Sequence, residues 1–186
     1  MFKEQYAIIL DFLASGYAGS FRKEPIAQAL GEEFFTLLEL VPKDVTLRLR
    51  EKVYIGPDKR DKIQFVKGRL DFEKLTVTAR NELTEIVEEL VRKNEEKYVD
   101  FFNKTGPISV RQHSLELLPN IGKKHMLNII SEREKNPFKS YEDIKKRVNL
   151  MPDPARVLTE RIIEEISGKT KYHLFARGGV IHQAEV

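Results

Sequence analysis

The sequence predicts an α+β chain of two domains, with strands in the first part and helices in the second. Four segments within the first 75 residues are rich in apolar, strand-favouring side chains, and residues 79–102 keep the period of a long helix. Short helix-compatible segments with proline and glycine at their ends follow residue 104. We therefore expect a β domain at 1–75, a linking helix at 76–104, a helical domain at 105–168, and a C-terminal strand and tail at 169–186.

The strand-like segments are separated by turn and loop signals. Pro42 follows the second segment, residues 56–58 form a predicted turn after the third, and Gly68 predicts a bulge in the fourth. Between the first two segments, Pro25 and Gly31 mark the ends of a predicted short helix. The four predicted strands are 6–13, 34–41, 45–55 and 62–70.

The long helix is expected to start after Thr78 as its N-cap. Asn94 interrupts its apolar face, which predicts a bend or an exposed position. Residues 109–112 (SVRQ) match a capping box that would open the next helix. Two further helices are predicted at 141–148 and at 153–167, the second ended by Gly168.

Composition limits the class of protein. The chain has no cysteine, which excludes disulfides, iron–sulfur clusters and thiolate zinc sites. No apolar run is long enough for a membrane span, and Asp11 interrupts the apolar N-terminal run, so neither membrane insertion nor a signal peptide is predicted, and a cytoplasmic location is expected. Residues 1–103 carry 17 basic and 19 acidic side chains, whereas 104–186 carry 15 and 10. The basic excess therefore lies in the predicted helical domain, as phosphate binding requires.

Residues 118–124 (LPNIGKK) are the most informative stretch of the chain. Pro119 fixes its own φ, while Asn120 and Gly122 tolerate a left-handed backbone, so a tight turn between two helices is predicted. A helix that begins at the two lysines would offer unpaired N–H groups, partial positive charge and two cations to an anion.

The segments that follow favour more than an ordinary helix connection. In residues 125–134, Leu127 and Ile130 have the spacing that would place them on one face with Ile121. Residues 136–144 (NPFKSYEDI) then provide a link to another helix. A second turn is expected at 148–155, but prolines replace its glycines and no lysine pair follows, so it should have lost most of its capacity to bind phosphate.

Residues 118–124 resemble the helix-hairpin-helix motif, in which an L-P-G-I/V-G turn aims N–H groups at a nucleic-acid phosphate; Asn120 stands where the motif has glycine. Residues 107–124, 132–133, 137–138, 141–144 and 147–148 also resemble an uncharacterised archaeal family described as RNA- or nucleotide-binding. This resemblance implies an OB-like (S1-like) β-barrel domain and an all-α paired helix-hairpin-helix domain, joined by the long helix. It also implies sequence-nonspecific phosphate contact, with RNA favoured over DNA, by Asn120, Ile121, Gly122, Lys123, Lys124 and His125.

The predicted strand at 45–55 suggests a second, weaker contact with nucleic acid. Its alternation places Arg48, Arg50 and Lys52 on one face, and Lys59 and Arg60 follow in the next turn. The alternative is that these charges are simply solvated. Tyr54 and Phe65 are candidates for stacking on bases, although a place in the core is favoured for both. Residues 171–177 alternate with apolar side chains on both faces, which predicts a strand that joins the sheet as its fifth member; the alternative is a loose tail.

No enzyme, cofactor or metal site is predicted. The four histidines lack metal-ligand spacing, and neither a Walker loop nor a G-x-G-x-x-G sequence is present. The hairpin also resembles that of DNA glycosylases, in which Lys124 would be the nucleophile and Glu142 or Asp143 the essential acid. That chemistry needs a desolvated lysine and a flipped-base pocket, for which the predicted strands leave little room. The other alternative is a scaffold whose helical domain docks a protein partner.

Overall fold

The computed structural model describes residues 4–21 and 23–177, and contacts group them into two compact units. The first unit contains the described residues through Ile86 and from 164 to 177, and the second contains Val87–Ile163. None of the helices in the described part of the chain is long and apolar enough to cross a lipid bilayer.

The first unit contains a curled, five-stranded antiparallel half-barrel in the order β4-β1-β2-β3-β5. One face of the sheet forms the core of this unit, with Ile9, Ala29, Leu40 and Ile63 among the fully buried side chains. A register shift beside Ile9 makes Leu10 an extra, unpaired residue, which bends the first strand. The strands are β1 (Tyr6–Leu13), β2 (Ile26–Gly31), β3 (Leu37–Pro42), β4 (Lys52–Tyr54) and β5 (Ile63–Arg69).

The predicted helix at 24–31 is wrong, because these residues form β2. This strand lies at the centre of the sheet and is buried at all six positions, so pairing on both sides overrides the helix propensity of its Ala and Leu residues. Gly31 does not end a helix. A Cβ atom there would lie 2.1 Å from the Glu4 carboxyl, which accepts hydrogen bonds from the N–H groups of Glu33, Phe34 and Thr36 at 2.9–3.2 Å.

The predicted long strand at 45–55 is also wrong, since only Lys52–Tyr54 pairs with β1. Arg50 has a φ of 61°, which interrupts the extended backbone, and its N–H donates to the Ile9 carbonyl at 2.8 Å. The Glu51 carboxylate accepts from the Arg48 N–H at 3.0 Å and so stabilises a turn instead of a strand. Hydrogen bonds from Lys62 and from the Arg48 N–H lower the pKa of Glu51.

The other strand predictions are closer to the structure. β1 has the predicted bounds, and β5 differs from its prediction by one residue at each end. The predicted bulge is present, because the pairing of β5 skips Lys67 between Gly68 and Val66. β3 starts later than predicted, since Phe35 adopts a left-handed φ of 55°.

A buried glutamine connects the sheet to the first long helix, α1 (Val77–Lys93). The Gln28 side chain is fully buried; it donates to the Lys74 carbonyl at 2.9 Å and accepts from the Thr76 N–H at 2.9 Å. Thr76 Oγ1 in turn accepts from the Ala79 N–H at 3.1 Å and donates to Asp11 at 2.6 Å. Thr76, and not the predicted Thr78, therefore caps α1.

The predicted bend in the long helix is confirmed. Asn94 has φ −102° and ψ 36°, and it separates α1 from α2 (Glu95–Lys104). Its side-chain amide donates to the Leu90 carbonyl at 2.8 Å, which pairs a carbonyl near the end of α1.

The second unit continues with a short hairpin, a 3₁₀ turn at Ser114–Leu117, and three helices. The hairpin strands are β6 (Pro107–Ser109) and β7 (Gln112–His113), and the helices are α3 (Lys123–Lys135), α4 (Tyr141–Arg147) and α5 (Pro154–Ile166). The capping box predicted at 109–112 is wrong, because those residues form the hairpin. A capping box forms instead between His113 and Glu116, and it opens the 3₁₀ turn. The helix predictions at 141–148 and 153–167 are confirmed.

The strand predicted at 171–177 does not form, although the segment does belong to the same unit as the sheet. Three of its backbone N–H groups pair with a carboxylate, and the Arg177 N–H donates to the Phe34 carbonyl at 3.1 Å. Glu165, fully buried near the end of α5, accepts from the N–H groups of Leu174, Phe175 and Ala176 at 2.8–2.9 Å. The additional strand that brings the sheet to five is β2, and not this C-terminal segment. Gly178 and Gly179, which suggested a loose tail, lie outside the described residues.

We expect Gln28→Leu to lower the free energy of unfolding by about 1–3 kcal/mol, because it leaves the Thr76 N–H and the Lys74 carbonyl without a partner. Urea unfolding followed by circular dichroism measures this loss. Gln64→Leu is the control, since Gln64 is exposed on β5 and its change should stay within about 0.5 kcal/mol. Equal losses in both variants would contradict the role given to Gln28.

Candidate nucleic-acid interface

Residues 118–122 form a tight turn, which we call hairpin 1. The Leu118 carbonyl accepts a hydrogen bond from the Ile121 N–H at 3.1 Å, and both side chains are buried. Asn120 at the tip has a φ of 62°, which confirms the predicted left-handed position. Gly122 is extended (φ −84°, ψ 180°) and is the N-cap residue of α3. The buried Leu118 and Ile121 thus hold the exposed tip in place.

The N-terminus of α3 is open. No side chain caps it, its first turn contains no acidic residue, and no atom lies within 4 Å of the position where Gly122 would carry a Cβ. Lys123 and Lys124 are both exposed, and neither has an ion-pair partner within the described part of the chain. The first N–H groups of α3 therefore face solvent beside two cations, as an anion site requires.

The buried face of α3 differs from the prediction. Met126 and Ile129 are its buried side chains, whereas Leu127, which was expected on that face, is 57% exposed. His125, predicted to contact phosphate, is half-buried, and its Nε2 lies 3.2 Å from the Leu150 carbonyl. This hydrogen bond connects the histidine to a second turn of the chain.

The second turn, residues 148–152, repeats hairpin 1 with an offset of thirty residues; we call it hairpin 2. The Val148 carbonyl accepts from the Met151 N–H at 3.3 Å, and both side chains are buried. Leu150 occupies the position of Asn120 and has a φ of 54°. The Asn149 N–H donates to the Asn128 side chain at 3.0 Å, which fixes this turn against α3.

Hairpin 2 has different chemistry where its helix begins. Pro152 and Pro154 have no N–H group to offer, and Asp153 accepts from the Ala155 N–H at 3.1 Å. Asp153 also pairs with Arg92 at 2.8 Å. Burial raises the pKa of Asp153, but the hydrogen bonds from Arg92 and Ala155 outweigh it and hold that pKa below its usual value. The carboxylate is therefore charged and disfavours a second anion at the start of α5.

Other side chains hold hairpin 1 and its helix in position. Arg161 of α5 donates to the Leu117 carbonyl at 3.1 Å, immediately before the turn. Arg133 of α3 donates to the carbonyls of Phe102 and Thr105 at 2.9 and 2.8 Å, so these two carbonyls at the end of α2 have a partner.

The predicted link to α4 ends at a helix cap. Ser140 caps α4 by accepting from the Asp143 N–H at 3.1 Å.

The predicted basic strand face at Arg48, Arg50 and Lys52 does not form, because two of these residues lie in the turn before β4. Arg50 pairs with Glu82 at 2.5 Å and with Glu85, and Lys52 pairs with Glu32 at 2.5 Å. In the following turn, the Arg60 side chain donates to the Gly56 carbonyl at 2.8 Å. Lys59 is exposed, and no ion pair involving it is found among the described residues.

The structure instead places aromatic and basic side chains together at the edge of the sheet. Lys52 lies 4.3 Å from the centre of the Tyr6 ring, and the Tyr54 ring meets Tyr6 edge-on at 5.3 Å. These residues line a depression of about 540 Å³ together with Val53, two lysines and two aspartates, Lys59, Lys62, Asp58 and Asp61. Tyr6 was missed as a candidate because it begins a long apolar strand. Phe65, favoured for the core, is 45% exposed.

The comparisons with known proteins agree on one family. Residues 3–177 match the family described as "Protein of unknown function (DUF655)". The chain belongs to this family. An uncharacterised protein of the family's archaeal relatives, MJ0038 from Methanocaldococcus jannaschii, is 46% identical over 177 residues, which cover 94% of this chain and 80% of the relative. The crystal structure of Af1531 from Archaeoglobus fulgidus superposes with a TM-score of 0.85 at 44% identity, over 92% of this chain and 99% of that one.

The residues of the glycosylase alternative lie in solvent-exposed or ion-paired positions. Lys124 is exposed, whereas a nucleophilic lysine needs a desolvated pocket. Asp143 accepts from the Lys139 N–H at 3.0 Å and pairs with Arg147 at 3.2 Å. Among residues 4–21 and 23–177, no group of three or more histidine, aspartate or glutamate side chains is placed to hold a metal ion.

A buried histidine leads into hairpin 1. His113 Nδ1 accepts from the Leu115 N–H at 3.1 Å, and the Glu116 carboxylate accepts from the His113 N–H at 3.0 Å. Burial lowers the pKa of His113, and the nearby Arg133 lowers it further. The neutral ring is the form that can accept the Leu115 hydrogen bond.

We expect His113→Asn to reduce the acid sensitivity of the fold. The pKa of His113 is lower in the folded state than in the unfolded chain. The stability that its neutral ring contributes is therefore fully present above the unfolded pKa of about 6.5 and is lost as pH falls through the folded pKa. Asparagine accepts the same type of hydrogen bond at an N-cap but does not titrate. Thermal unfolding at a series of pH values measures the effect, and parallel curves for the two proteins would contradict it.

Proposed function

We propose that this protein binds nucleic acid, with RNA favoured over DNA, by contacting a backbone phosphate at hairpin 1 without reading sequence. The observation that supports this proposal is the uncapped N-terminus of α3 beside exposed Lys123 and Lys124. The preference for RNA rests on the resemblance to a family described as RNA- or nucleotide-binding. In this proposal hairpin 1 and hairpin 2 form a paired helix-hairpin-helix unit, and the half-barrel is OB-like.

The chemistry of the site suits a phosphate. N–H groups at a helix start and the helix dipole favour an anion, and a phosphate oxygen can accept from several N–H groups at once. Because the contact is made by backbone N–H groups and lysine charge, it fixes the position of the strand and reads no base.

The site is also preorganised. Hairpin 1 is fixed by its internal hydrogen bond, by two buried side chains and by the Arg161 contact to Leu117. A phosphate that binds there orders little additional backbone, so little conformational entropy opposes binding. Hairpin 2 lacks this chemistry because its helix begins with prolines and a charged carboxylate.

The depression beside Tyr6 is the proposed second contact, in place of the strand face expected from the sequence. Lys52 and Tyr6 are already in cation–π contact, and the exposed Lys59 lies in the same depression. An aromatic ring with neighbouring lysines is the combination that single-stranded nucleic acids bind. We expect this contact to be weaker, because Glu32 and Glu51 neutralise Lys52 and Lys62.

A protein-docking scaffold is the alternative function, and salt dependence separates it from the proposal. Binding to phosphates releases counterions, so log K falls linearly with log salt. Docking through apolar surface lacks that slope. We propose binding without catalysis, because the exposed Lys124 is a cation for phosphate and not an activated nucleophile.

Lys124→Glu should lower affinity for nucleic acid at least about tenfold, because the substitution replaces an attractive charge by a repulsive one at the helix start. It should also reduce the salt slope by about one, while thermal stability changes little because the side chain is exposed. Fluorescence anisotropy with labelled RNA at two or more salt concentrations measures both quantities.

Lys97→Glu is the matched control, since Lys97 is exposed on α2 and carries the same charge on an element that belongs to neither hairpin. Its effect on affinity should be within about twofold to threefold, the scale of a change in overall charge. Equal losses in the two variants would mean that binding depends on diffuse charge and would overturn the hairpin site.

Lys59→Glu tests the second contact and should lower affinity by about threefold, less than Lys124→Glu. Lys74→Glu is its control, because Asp71 already neutralises Lys74 at 3.0 Å. If Lys59→Glu leaves both the affinity and the salt slope unchanged, the depression beside Tyr6 does not contact nucleic acid.

A further inference from the structure

Leu150, at the tip of hairpin 2, is in an unfavourable position in two respects. Its φ of 54° lies in the left-handed region, which asparagine tolerates better than leucine. Its side chain is 82% exposed, so burial within the described part of the chain does not offset this strain. In hairpin 1 the equivalent position is occupied by Asn120, the residue that the conformation favours.

The strained leucine is attached directly to the phosphate-binding helix. Its carbonyl is bonded to His125, the residue after Lys124, and the neighbouring Asn149 is bonded to Asn128. Leu127, on the same helix, is the other exposed leucine of this region. The tip of hairpin 2 is therefore hydrogen-bonded to the first two turns of the helix that begins at Lys123 and Lys124.

The start of α3 and the tip of hairpin 2 combine two cations with apolar side chains, which limits the partner they fit. A duplex presents phosphates and base edges, because stacking covers the faces of its bases. A single strand presents phosphates together with uncovered base faces, which are flat and apolar. The combination of Lys123 and Lys124 with Leu150 matches the single strand.

We infer that hairpin 2 packs Leu150 against the face of an unpaired base in a single strand whose phosphate is held at hairpin 1. This inference rests on the proposed function and names its ligand class more narrowly. Hairpin 1 supplies charge and N–H groups, and hairpin 2 supplies an apolar contact without charge. The protein should therefore favour unpaired over paired nucleic acid, and the preference should depend on Leu150.

The test is Leu150→Asn in the full chain, which gives hairpin 2 the tip residue of hairpin 1. We expect the melting temperature to stay the same or rise, because the strain is relieved. Affinity for a labelled oligouridylate should fall at least about fivefold, whereas affinity for an RNA duplex of about 16 base pairs should stay within about twofold. The salt slope should not change, because no charge is altered.

Two further variants make the result specific. Leu150→Met keeps an apolar side chain and should retain most of the affinity for oligouridylate. Val110→Asn makes the same polar change at another exposed residue, in the turn between β6 and β7, and should leave binding unchanged. If Leu150→Met loses as much affinity as Leu150→Asn, the contact is not apolar and the inference is wrong.

The remaining outcomes distinguish this inference from the proposed function. If Lys124→Glu weakens binding but Leu150→Asn does not, hairpin 1 binds phosphate and the inference fails alone. If Lys124→Glu has no effect, the proposed function fails. If Leu150→Asn leaves RNA binding intact but dissociates a dimer in sedimentation experiments, the tip is a protein contact and the inference is overturned.

Discussion

The pairing of backbone N–H groups with side-chain acceptors is the interaction on which the irregular parts of this structure depend. Glu4 and Glu165 each accept three N–H groups from a loop without strand partners. Thr76 and Ser140 cap α1 and α4. An unpaired N–H group costs free energy when it is buried, so these acceptors determine which loop conformations can be stable.

The N-terminus of α3 has no such acceptor and, unlike that of α2, no acidic residue in its first turn, and for that reason it is the candidate site. Its N–H groups have no side-chain acceptor, yet they carry no burial penalty because Gly122 leaves them exposed to solvent. Two acids of the second unit accept N–H groups at other helix or turn starts: Asp153 caps α5, and Glu116 closes the capping box of His113. An external anion can therefore make the hydrogen bonds that side-chain acceptors make at the starts of α1, α4 and α5.

The sequence predicted features that depend on neighbouring residues and missed those that depend on distant ones. The break at Asn94 and the left-handed Asn120 are properties of a few residues, and both are confirmed. β2 was predicted as a helix from its local sequence. It is a strand because it pairs with β1 on one side and β3 on the other, which the local sequence does not show. Arg50 lies in a sequence that alternates as a strand does. In the structure its backbone is left-handed and its side chain pairs with Glu82, thirty-two residues away. Leu150 is an apolar residue in the sequence, and only its φ of 54° and its exposure in the structure show its unfavourable position.

The two hairpins show how one backbone geometry can carry two kinds of chemistry. Both are closed by the same hydrogen bond, between the carbonyl of the first residue and the N–H three residues later, and both bury the residues at its ends. The polar chemistry differs at the second residue, at the tip and at the helix start: proline, asparagine, glycine and lysine in one, and asparagine, leucine, proline and aspartate in the other. Two identical basic hairpins would attract two phosphates equally, as the two strands of a duplex provide. With one basic and one apolar tip, charge lies at one hairpin and apolar surface at the other. In the proposal this arrangement suits a single strand, whose phosphate and unpaired base lie on opposite sides of the sugar.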